Sequence, residues 1–505
     1  MDPLSIAGLT LAVFDQLWKL GKATAELLST DETHRTRALR LLLFQPSPEY
    51  DGNALFEQFD EEVQNEIQLF LEELCSVVEE AHRLLSRPRR ADKTIASDGN
   101  STSSISKRLR WTLLDKKRIT TLIKDFAELN GRILANIKLW CLSMSIGVNL
   151  QHLRRLENDS NSKKLGFDVD ARLHLAASYA ESTEETSELK DPKLLPAVEN
   201  AKRFGDKFGV IEWEGKPALV EFRSYDSDAP VPVVIDSRTR ELVDHLAKLL
   251  HQPKELLFRM PSCIDWILKP LTNEYSFIFA VPPGVRPDPI SLFEVLSLSV
   301  SMKPSLGDKF RLALGLARCI SQLQLVKWVH ESFRSANILF FPTEDGNERS
   351  SESRRNLDFS QPWVLGFDFS RPERYFSSGI EDTCPLRDVY RHPERQQSPS
   401  CPFNKLHDIY ALGVVLLETG LWQPAISLEK DQFKKLRDPM SIKKCLIAQA
   451  EKRLASRTGE KYKTVVLKCL NGDFKVMDDT KEDAKLQREF RTQVVDILEK
   501  AVDSI

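Results

Sequence analysis

The pattern of apolar and polar residues divides the chain into two parts. Up to about residue 180, apolar residues recur at spacings of three and four, most clearly over residues 55–85 and 119–140. This pattern is typical of amphipathic helices packed in a bundle. Polar stretches rich in Ser, Thr and charged residues follow at 87–110 and 181–194. We therefore predict a helical bundle over residues 1–180, a mobile loop inside it at about 87–110, and a linker over 181–194.

Beyond the linker the pattern becomes that of short strands followed by helices. β-rich runs at residues 210–213 and 218–222 flank a turn at 215–217, and a further strand pattern covers 275–281. A helical stretch lies between them at 240–250, and the chain is mostly helical after residue 292. A small β-rich lobe followed by a larger helical lobe is an α+β arrangement.

Composition limits the class of protein and its partners. A chain of 505 residues is long enough for two or three domains. The formal net charge of -3 gives no general attraction to nucleic acid, so no nucleic-acid partner is expected. The eight cysteines are scattered singly without a C-x-x-C pair, which argues against a disulfide framework or a zinc site. Reduced thiols and a cytoplasmic location are therefore predicted.

Four short segments in the C-terminal part follow one another in the order found in protein kinases. They are residues 329–339 (VHESFRSANIL), 364–370 (VLGFDFS), 391–394 (RHPE) and 408–413 (DIYALG). In turn they resemble the kinase catalytic loop H-R-D-L-x-x-x-N, the D-F-G segment, the A-P-E segment and the start of the buried helix that anchors the lower lobe. The resemblance implies a bilobal α+β protein-kinase-like fold over residues 195–505, in a multidomain chain that begins with an all-α bundle.

The same resemblance implies a degenerate catalytic loop. His330 and Asn337 match the kinase pattern, but Glu331 stands where Arg is usual and Ser332 stands where the catalytic Asp belongs. That Asp accepts the proton of the substrate hydroxyl, and a Ser hydroxyl is too weakly basic to replace it. We therefore expect no catalytic residue and interpret the chain as a pseudokinase. An atypical active serine/threonine kinase that uses Glu331 stays open as an alternative.

Parts of a nucleotide site are also implied by the resemblance. Arg223 takes the position of the lysine on the third strand, while Asn337 and Asp368 correspond to the Mg²⁺ ligands. Only Gly205 and Gly209 remain of the glycine-rich loop that lies over the phosphates. Weak or absent ATP binding is favoured, and ATP with Mg²⁺ is the only cofactor that the residues suggest.

The N-terminal part resembles a second family. Residues 1–9 (MDPLSIAGL) and 55–60 (LFEQFD) are similar to the HeLo or HeLo-like domain of fungal prion-inhibition-and-propagation and heterokaryon-incompatibility proteins. The resemblance covers about residues 1–175 and implies a first helix that leaves the bundle and enters a membrane. The apolar residues that would insert are Leu4, Ile6, Leu9, Leu11, Val13 and Phe14. Because about eleven residues rise only about 16 Å, half of a hydrocarbon core, a first helix that stays buried in the bundle is the alternative.

Together the two resemblances imply a signalling pseudokinase fused to a HeLo-like domain, acting in fungal regulated cell death or heterokaryon incompatibility. Such a protein is expected in the cytoplasm, with recruitment to the plasma membrane. Its expected partners are another protein or a second copy of itself, together with membrane lipid through the N-terminal helix. A protein-interaction scaffold that never touches a membrane is the competing hypothesis.

Overall fold

The computed structural model describes most of the chain outside its N-terminus and several connecting segments. The described residues are 30–85, 101–178, 194–205, 207–224, 237–269, 274–298, 303–343, 357–367, 371–372, 385–396, 401–429, 438–477, 479 and 483–505.

The chain forms two compact units, Met1–Ala171 and Arg172–Ile505. The boundary falls within the helix Phe167–Ser178, a little before the predicted end of the bundle at residue 180. The predicted linker also ends earlier than expected, because Leu194 begins the helix Leu194–Glu199 and is fully buried. Residues 179–193, which make up most of that linker, lie outside the described residues.

Helices account for the regular structure described before residue 179, as the spacing of apolar residues predicts. They are α1 (Thr30–Phe44), α2 (Glu61–Leu85), α3 (Ser101–Ser143), α4 (Leu150–Asn158), α5 (Ser160–Leu165) and α6 (Phe167–Ser178), with 3₁₀ turns at Pro48–Tyr50, Leu55–Gln58 and Ser145–Val148. Along α2, Val63, Ile67, Leu71, Leu74 and Val78 are all buried, so the stripe of apolar residues forms the core-facing side of the helix.

The predicted loop at 87–110 is wrong in its second half. The helix α3 already begins at Ser101 and continues without interruption to Ser143. The serines and threonine at residues 101–104 are polar enough to look like loop, yet such residues are also common at the first turn of a helix.

Two buried polar side chains among these helices, His152 and Asp170, have partners of known geometry. His152 is fully buried between the Tyr50 hydroxyl, 2.5 Å from Nδ1, and the carbonyl oxygen of Cys141, 2.9 Å from Nε2. Burial lowers the pKa of His152 to about 4, so the imidazole is neutral at physiological pH. Asp170 is also fully buried and forms an ion pair with Lys138 at 2.6 Å. These contacts join helices that are distant in sequence.

The second unit opens with a five-stranded antiparallel sheet. Its strands are β1 (Lys202–Phe204), β2 (Phe208–Trp213), β3 (Lys216–Ser224), β4 (Cys263–Lys269) and β5 (Glu274–Ala280), in the order β1-β2-β3-β5-β4. The predicted turn between β2 and β3 is displaced, because Lys216 is already paired with Trp213 and the turn residues are Glu214 and Gly215. Two helices accompany the sheet: α7 (Leu194–Glu199) packs on β2, and α8 (Ser237–His251) contacts β4.

Beyond the sheet the unit is mainly helical. The helices are α9 (Leu292–Ser297), α10 (Leu306–Leu325), α11 (Pro385–Asp388), α12 (Lys405–Leu421), α13 (Pro439–Thr458), α14 (Glu460–Asn471), α15 (Ala484–Phe490) and α16 (Asp496–Val502), with 3₁₀ turns at Leu256–Phe258, Ser335–Asn337, Pro393–Arg395 and Ala425–Ser427 and a π turn at Arg491–Val495. Two small antiparallel sheets lie among them: β6 (Ile290–Ser291), β8 (Ile338–Phe340) and β9 (Trp363–Val364) form one, and β7 (Trp328–Val329) and β10 (Arg371–Pro372) form the other.

The helix α12 is the centre of this helical part. Every residue at 407–421 is buried, and α10, α13 and α14 pack around it. A helix that is buried all round needs small residues where neighbours approach closely, and Gly413 lies directly against Cys469 of α14. The sequence therefore predicts correctly that residues 408–413 begin a buried helix.

The second unit thus places a small antiparallel sheet before a larger set of helices, as the α+β pattern predicts. Within the part of the chain that the structure describes, every helix is too short or too polar to cross a bilayer.

Candidate functional site

The loop that joins β7 to β8 is held by the first turn of α12. The carboxylate of Asp408 accepts the backbone N–H groups of His330 at 2.7 Å and Glu331 at 3.0 Å. Asp408 is buried, so these charge-assisted hydrogen bonds are shielded from water and strong. Glu331 has a φ of 60°, a left-handed conformation that a residue with a side chain adopts at a cost. The buried helix thus imposes a fixed and strained shape on the loop.

Ser332 and Asn337 meet at the centre of this loop. The Asn337 side-chain amide donates to the Ser332 carbonyl oxygen at 2.8 Å and lies 3.2 Å from the Ser332 hydroxyl. The backbone carbonyl of Asn337 accepts the N–H of Leu365 at 2.9 Å. Only glycine fits at position 366, because a Cβ there would lie 2.0 Å from Asn337 Nδ2. The predicted residues His330, Glu331, Ser332 and Asn337 therefore lie together in one small region.

Glu331, the carboxylate nearest to Ser332 in sequence, is held by an arginine. Its carboxylate accepts a hydrogen bond from Arg395 at 3.3 Å, and both side chains are about nine-tenths buried. Arg395 follows the RHPE segment and is fixed further by its hydrogen bond to the Cys401 carbonyl oxygen at 2.7 Å. An ion pair at this position turns Glu331 toward the 3₁₀ turn Pro393–Arg395.

A second buried chain of hydrogen bonds joins the loop to α12. The Ser335 hydroxyl lies 2.8 Å from the Tyr390 hydroxyl, which donates to Glu418 at 2.7 Å. Glu418 also accepts the N–H of Ala425 at 2.7 Å. Burial raises the pKa of Glu418 to about 7, so its carboxyl is partly protonated near neutral pH. The loop is thus fixed to α12 at both of its ends.

Strand β3 contributes two charged side chains that contact the backbone beside Asn337. The carboxylate of Glu221 accepts the N–H groups of Gly366 at 2.9 Å and Phe367 at 2.7 Å. Arg223 donates from Nη1 to the Phe367 carbonyl oxygen at 3.3 Å. Because side chains two residues apart on a strand share a face, both reach the same dipeptide. Glu221 is fully buried and Arg223 nearly so, and the resemblance pointed only to Arg223.

Lys207, in the turn between β1 and β2, adds positive charge to this region. Burial, with further repulsion from Arg334, lowers the pKa of Lys207 to about 7. Burial also raises the pKa of Glu221, and the two N–H donors and Lys207 oppose that rise. A lysine and a glutamate that interact within a buried region favour each other's charged form. The space beside Phe367 is thus lined by acidic and basic groups of the protein itself.

A pocket opens beside Ser332 on the side of the RHPE segment. Four arginines line it, namely Arg334, Arg387, Arg391 and Arg395. Glu331 and Asp408 lie in the same wall, so the pocket carries an excess of positive charge. Guanidinium groups in such a cluster suit a carboxylate or phosphate group.

Several residues that the sequence singled out lie outside the described residues. They are Asp368 and the membrane-insertion candidates Leu4, Ile6, Leu9, Leu11, Val13 and Phe14. The proposed Mg²⁺ pair therefore has one described member, Asn337.

The functional residues that sequence reasoning missed are Glu221, Lys207, Asp408 and Arg395. Glu221 carries a signal, since it is a carboxylate within the apolar run 218–222 of a predicted strand. Asp408 has one as well, because it is an acidic residue directly before the mainly apolar run 409–417. Neither signal identifies the partner residue. Gly366 lies 145 residues from Glu221, and His330 lies 78 residues from Asp408.

Comparison with known families covers the helical part of the second unit. A family model described as a domain of unknown function (DUF7580) matches residues 285–505. The match includes the loop around Ser332, the RHPE segment and α12, and it stops short of the five-stranded sheet. No curated protein matches the chain.

Proposed function

We propose that residues from about 195 to 505 form a kinase-like fold without phosphotransferase activity, and that this pseudokinase controls an N-terminal HeLo-like helical unit in signalling. The observation that carries the proposal is the loop around Ser332. A hydroxyl occupies the position where a kinase needs a carboxylate, and the neighbouring Glu331 is bonded to Arg395. Among the described residues of this loop, a phosphate acceptor would meet no carboxylate other than Glu331, which Arg395 holds.

The arrangement of the loop supports a kinase-like origin. A small antiparallel sheet precedes a helical lobe, and the four kinase-like segments occur in the expected order. Asp408, in the last of these segments, accepts a hydrogen bond from His330 in the first. The Asn337 side-chain amide donates to the Ser332 carbonyl oxygen and fixes the position of Ser332. An architecture that keeps these contacts while losing the catalytic carboxylate favours a scaffold for signalling over an enzyme.

The charged residues near Phe367 are a poor fit to a nucleotide. Asn337 Oδ1 is buried without a hydrogen-bond donor among the described residues, so it offers one oxygen to a hard cation such as Mg²⁺. Glu221, however, brings a buried negative charge to strand β3, two residues from Arg223 on the same face. A polyphosphate would have to compete with this carboxylate for Lys207 and Arg223, the two cations that interact with it. We infer that contacts within the protein replace those that a nucleotide would make.

A phosphate-transfer assay tests the loss of activity. Full-length protein incubated with γ-labelled ATP and Mg²⁺ or Mn²⁺ is expected to label neither itself nor a generic protein substrate, because Ser332 cannot act as the base. A matched Asp368→Ala variant is the control for contaminating kinases, and the two proteins should give the same background. Labelling that is present in the natural chain and lost in Asp368→Ala would instead support the active kinase that uses Glu331.

We further propose that the helical unit acts on membranes through the helix predicted at its N-terminus, residues 4–14. A partner protein or self-association would trigger this action. The support is the apolar run at residues 4–14, which suits either a protein core or a bilayer. The setting implied by the two resemblances is regulated cell death or heterokaryon incompatibility in fungi, with movement from the cytoplasm to the plasma membrane.

Dye release from anionic vesicles tests this second proposal. The full chain, added at increasing concentration, is expected to release dye, and Leu9→Lys is expected to reduce release at least tenfold because a charge within the apolar run opposes insertion. Circular dichroism of the variant establishes that it is folded. Vesicles that stay intact with a folded natural chain at every concentration would favour the interaction scaffold, in which no lipid takes part.

A further inference from the structure

Four side chains with metal-binding atoms converge where the RHPE segment meets α12. The ligand atoms of His392, Glu394 and His407 all lie within 4.8 Å of one another. The Cys401 thiol lies 3.5 Å from the Glu394 carboxylate and 3.9 Å from His407 Nε2. The cluster therefore contains two imidazoles, a carboxylate and a thiol, and it takes no part in the function proposed above.

Local structure fixes the two imidazoles independently of each other. His392 is the N-cap residue of the 3₁₀ turn Pro393–Arg395, and His407 lies in the first turn of α12, after the N-cap Asn404. The centroids of the two rings lie 5.0 Å apart, and the ring planes are inclined by 28°. Because His407 is buried and His392 is partly exposed, the cluster has a fixed inner side and an opening to solvent.

The separations from the Glu394 oxygen to the other three ligand atoms are close to those of a tetrahedral coordination shell. Zinc binds His nitrogen at about 2.0–2.1 Å, carboxylate oxygen at about 2.0–2.2 Å and Cys sulfur at about 2.3 Å, which places neighbouring ligand atoms about 3.3–3.7 Å apart. The Glu394 oxygen lies 3.4 Å from His392 Nδ1, 3.3 Å from His407 Nε2 and 3.5 Å from Cys401 Sγ. Hydrogen bonding alone can explain each of these short distances. It does not require that two imidazoles and a thiol surround the same carboxylate oxygen.

We propose that His392, Glu394, Cys401 and His407 form a zinc site. Nitrogen, sulfur and oxygen donors in a tetrahedral arrangement suit Zn²⁺ better than Mg²⁺ or Ca²⁺, which prefer oxygen. The absence of C-x-x-C pairs, which argued against zinc at the level of sequence, does not bear on a site that uses one cysteine. Four protein ligands would make the site structural, with no coordination position open for catalysis.

Zinc binding requires a proton rearrangement at His407. In the metal-free protein Nδ1 accepts the N–H of Asn404 at 3.2 Å, so Nε2 carries the proton and donates it to Glu394. When Zn²⁺ takes Nε2, the proton moves from Nε2 to Nδ1, which can then no longer accept the N–H of Asn404. Zinc at His392 Nδ1 would likewise displace the N–H of Glu394, which that nitrogen accepts at 3.4 Å. Losing these two cap bonds costs about 1 kcal/mol each, less than a structural zinc site contributes. The Cys401 thiol also releases its proton on binding, so zinc affinity falls as the pH is lowered.

The site would connect two elements that control the loop around Ser332. His392 and Glu394 lie on the turn that carries Arg395, the partner of Glu331. His407 precedes Asp408, whose carboxylate holds the loop backbone. Zinc would therefore fix the turn against α12 and stabilise the loop at both of these contacts. This inference does not depend on whether the protein is a pseudokinase.

Cobalt substitution tests the site. Untagged full-length protein, stripped with a chelator, is titrated with Co²⁺ alone. One equivalent should give the intense visible bands of tetrahedral Co²⁺ and the near-ultraviolet charge-transfer band of a Co²⁺–thiolate bond, and Zn²⁺ should abolish both. Zn²⁺ should also raise the melting temperature of the stripped protein, because it binds the native state.

Matched variants locate the ligands. Cys401→Ser should lose the thiolate band, and His392→Ala should weaken Zn²⁺ binding at least tenfold, whereas Cys445→Ser, a change at another partly exposed cysteine, should leave both unchanged. Glu394→Gln keeps the shape of the cluster and serves if another variant does not fold. A folded natural chain that gives only the weak spectrum of octahedral Co²⁺ would overturn the proposal, and so would a thiolate band that depends on Cys445.

Discussion

Replacing Asp408 with alanine is expected to destabilise the second unit by about 3–5 kcal/mol, the largest effect of any single change near the site. The substitution leaves the buried N–H groups of His330 and Glu331 without their acceptor, and each such group costs about 1–3 kcal/mol. It also removes the contact that maintains the left-handed conformation of Glu331. The loop around Ser332 should therefore loosen before the rest of the unit unfolds.

Thermal unfolding followed together with hydrogen–deuterium exchange measures both parts of this expectation. Peptides that cover residues 326–341 should exchange faster in Asp408→Ala even at temperatures where the protein is folded. Asp438→Ala is the matched control, because Asp438 is a fully exposed helix-cap residue whose loss should affect stability much less. Equal effects of the two changes on stability and on exchange in this loop would contradict the role assigned to Asp408.

Replacing Glu221 with alanine is expected to cost about 3 kcal/mol. The N–H groups of Gly366 and Phe367 would lose both acceptors, and the nearby Lys207 and Arg223 would lose a buried negative charge. Glu221→Gln should have a smaller effect because it retains one carbonyl oxygen. Glu212→Ala, an exposed position on the same hairpin, should change the melting temperature little.

Chemical denaturation of the four proteins gives the comparison. The expected order of stability is natural chain and Glu212→Ala first, then Glu221→Gln, then Glu221→Ala. A Glu221→Ala protein as stable as the natural chain would contradict this expectation. It would mean that the free-energy cost of burying the carboxylate equals the stabilisation from its hydrogen bonds.

Local sequence patterns predicted the inner strands of the five-stranded sheet but missed its two edge strands, β1 and β4. The β-rich run at 218–222 predicted the central strand β3, and its residues Ala218, Val220 and Phe222 pack in the core of the sheet. Strand β4 was missed because Asp265 interrupts its apolar run at an irregularity in pairing with β5. Strand β1 was missed because its three residues are polar or partly exposed.

The candidate site shows where sequence reasoning reaches its limit. Position along the chain was enough to bring His330, Ser332 and Asn337 together, since they share one loop. It was not enough to find Glu221 beside Arg223, because both lie on the same face of β3 and their contacts with Gly366 and Phe367 join residues distant in sequence. The zinc-binding candidates have the same difficulty, since their convergence depends on the packing of the 3₁₀ turn against α12.

The central claim, that charged groups of the protein replace a nucleotide, is tested most directly by titrating the full chain with ATP and Mg²⁺ while its melting temperature is recorded. Binding to the native state alone stabilises a protein by about 2.7 kcal/mol when the ligand is at about 100 times its dissociation constant. We predict no change in melting temperature at millimolar ATP with Mg²⁺. A saturable increase that requires Mg²⁺ and is lost in Asn337→Ala would contradict the account and show that nucleotide binds beside Asn337.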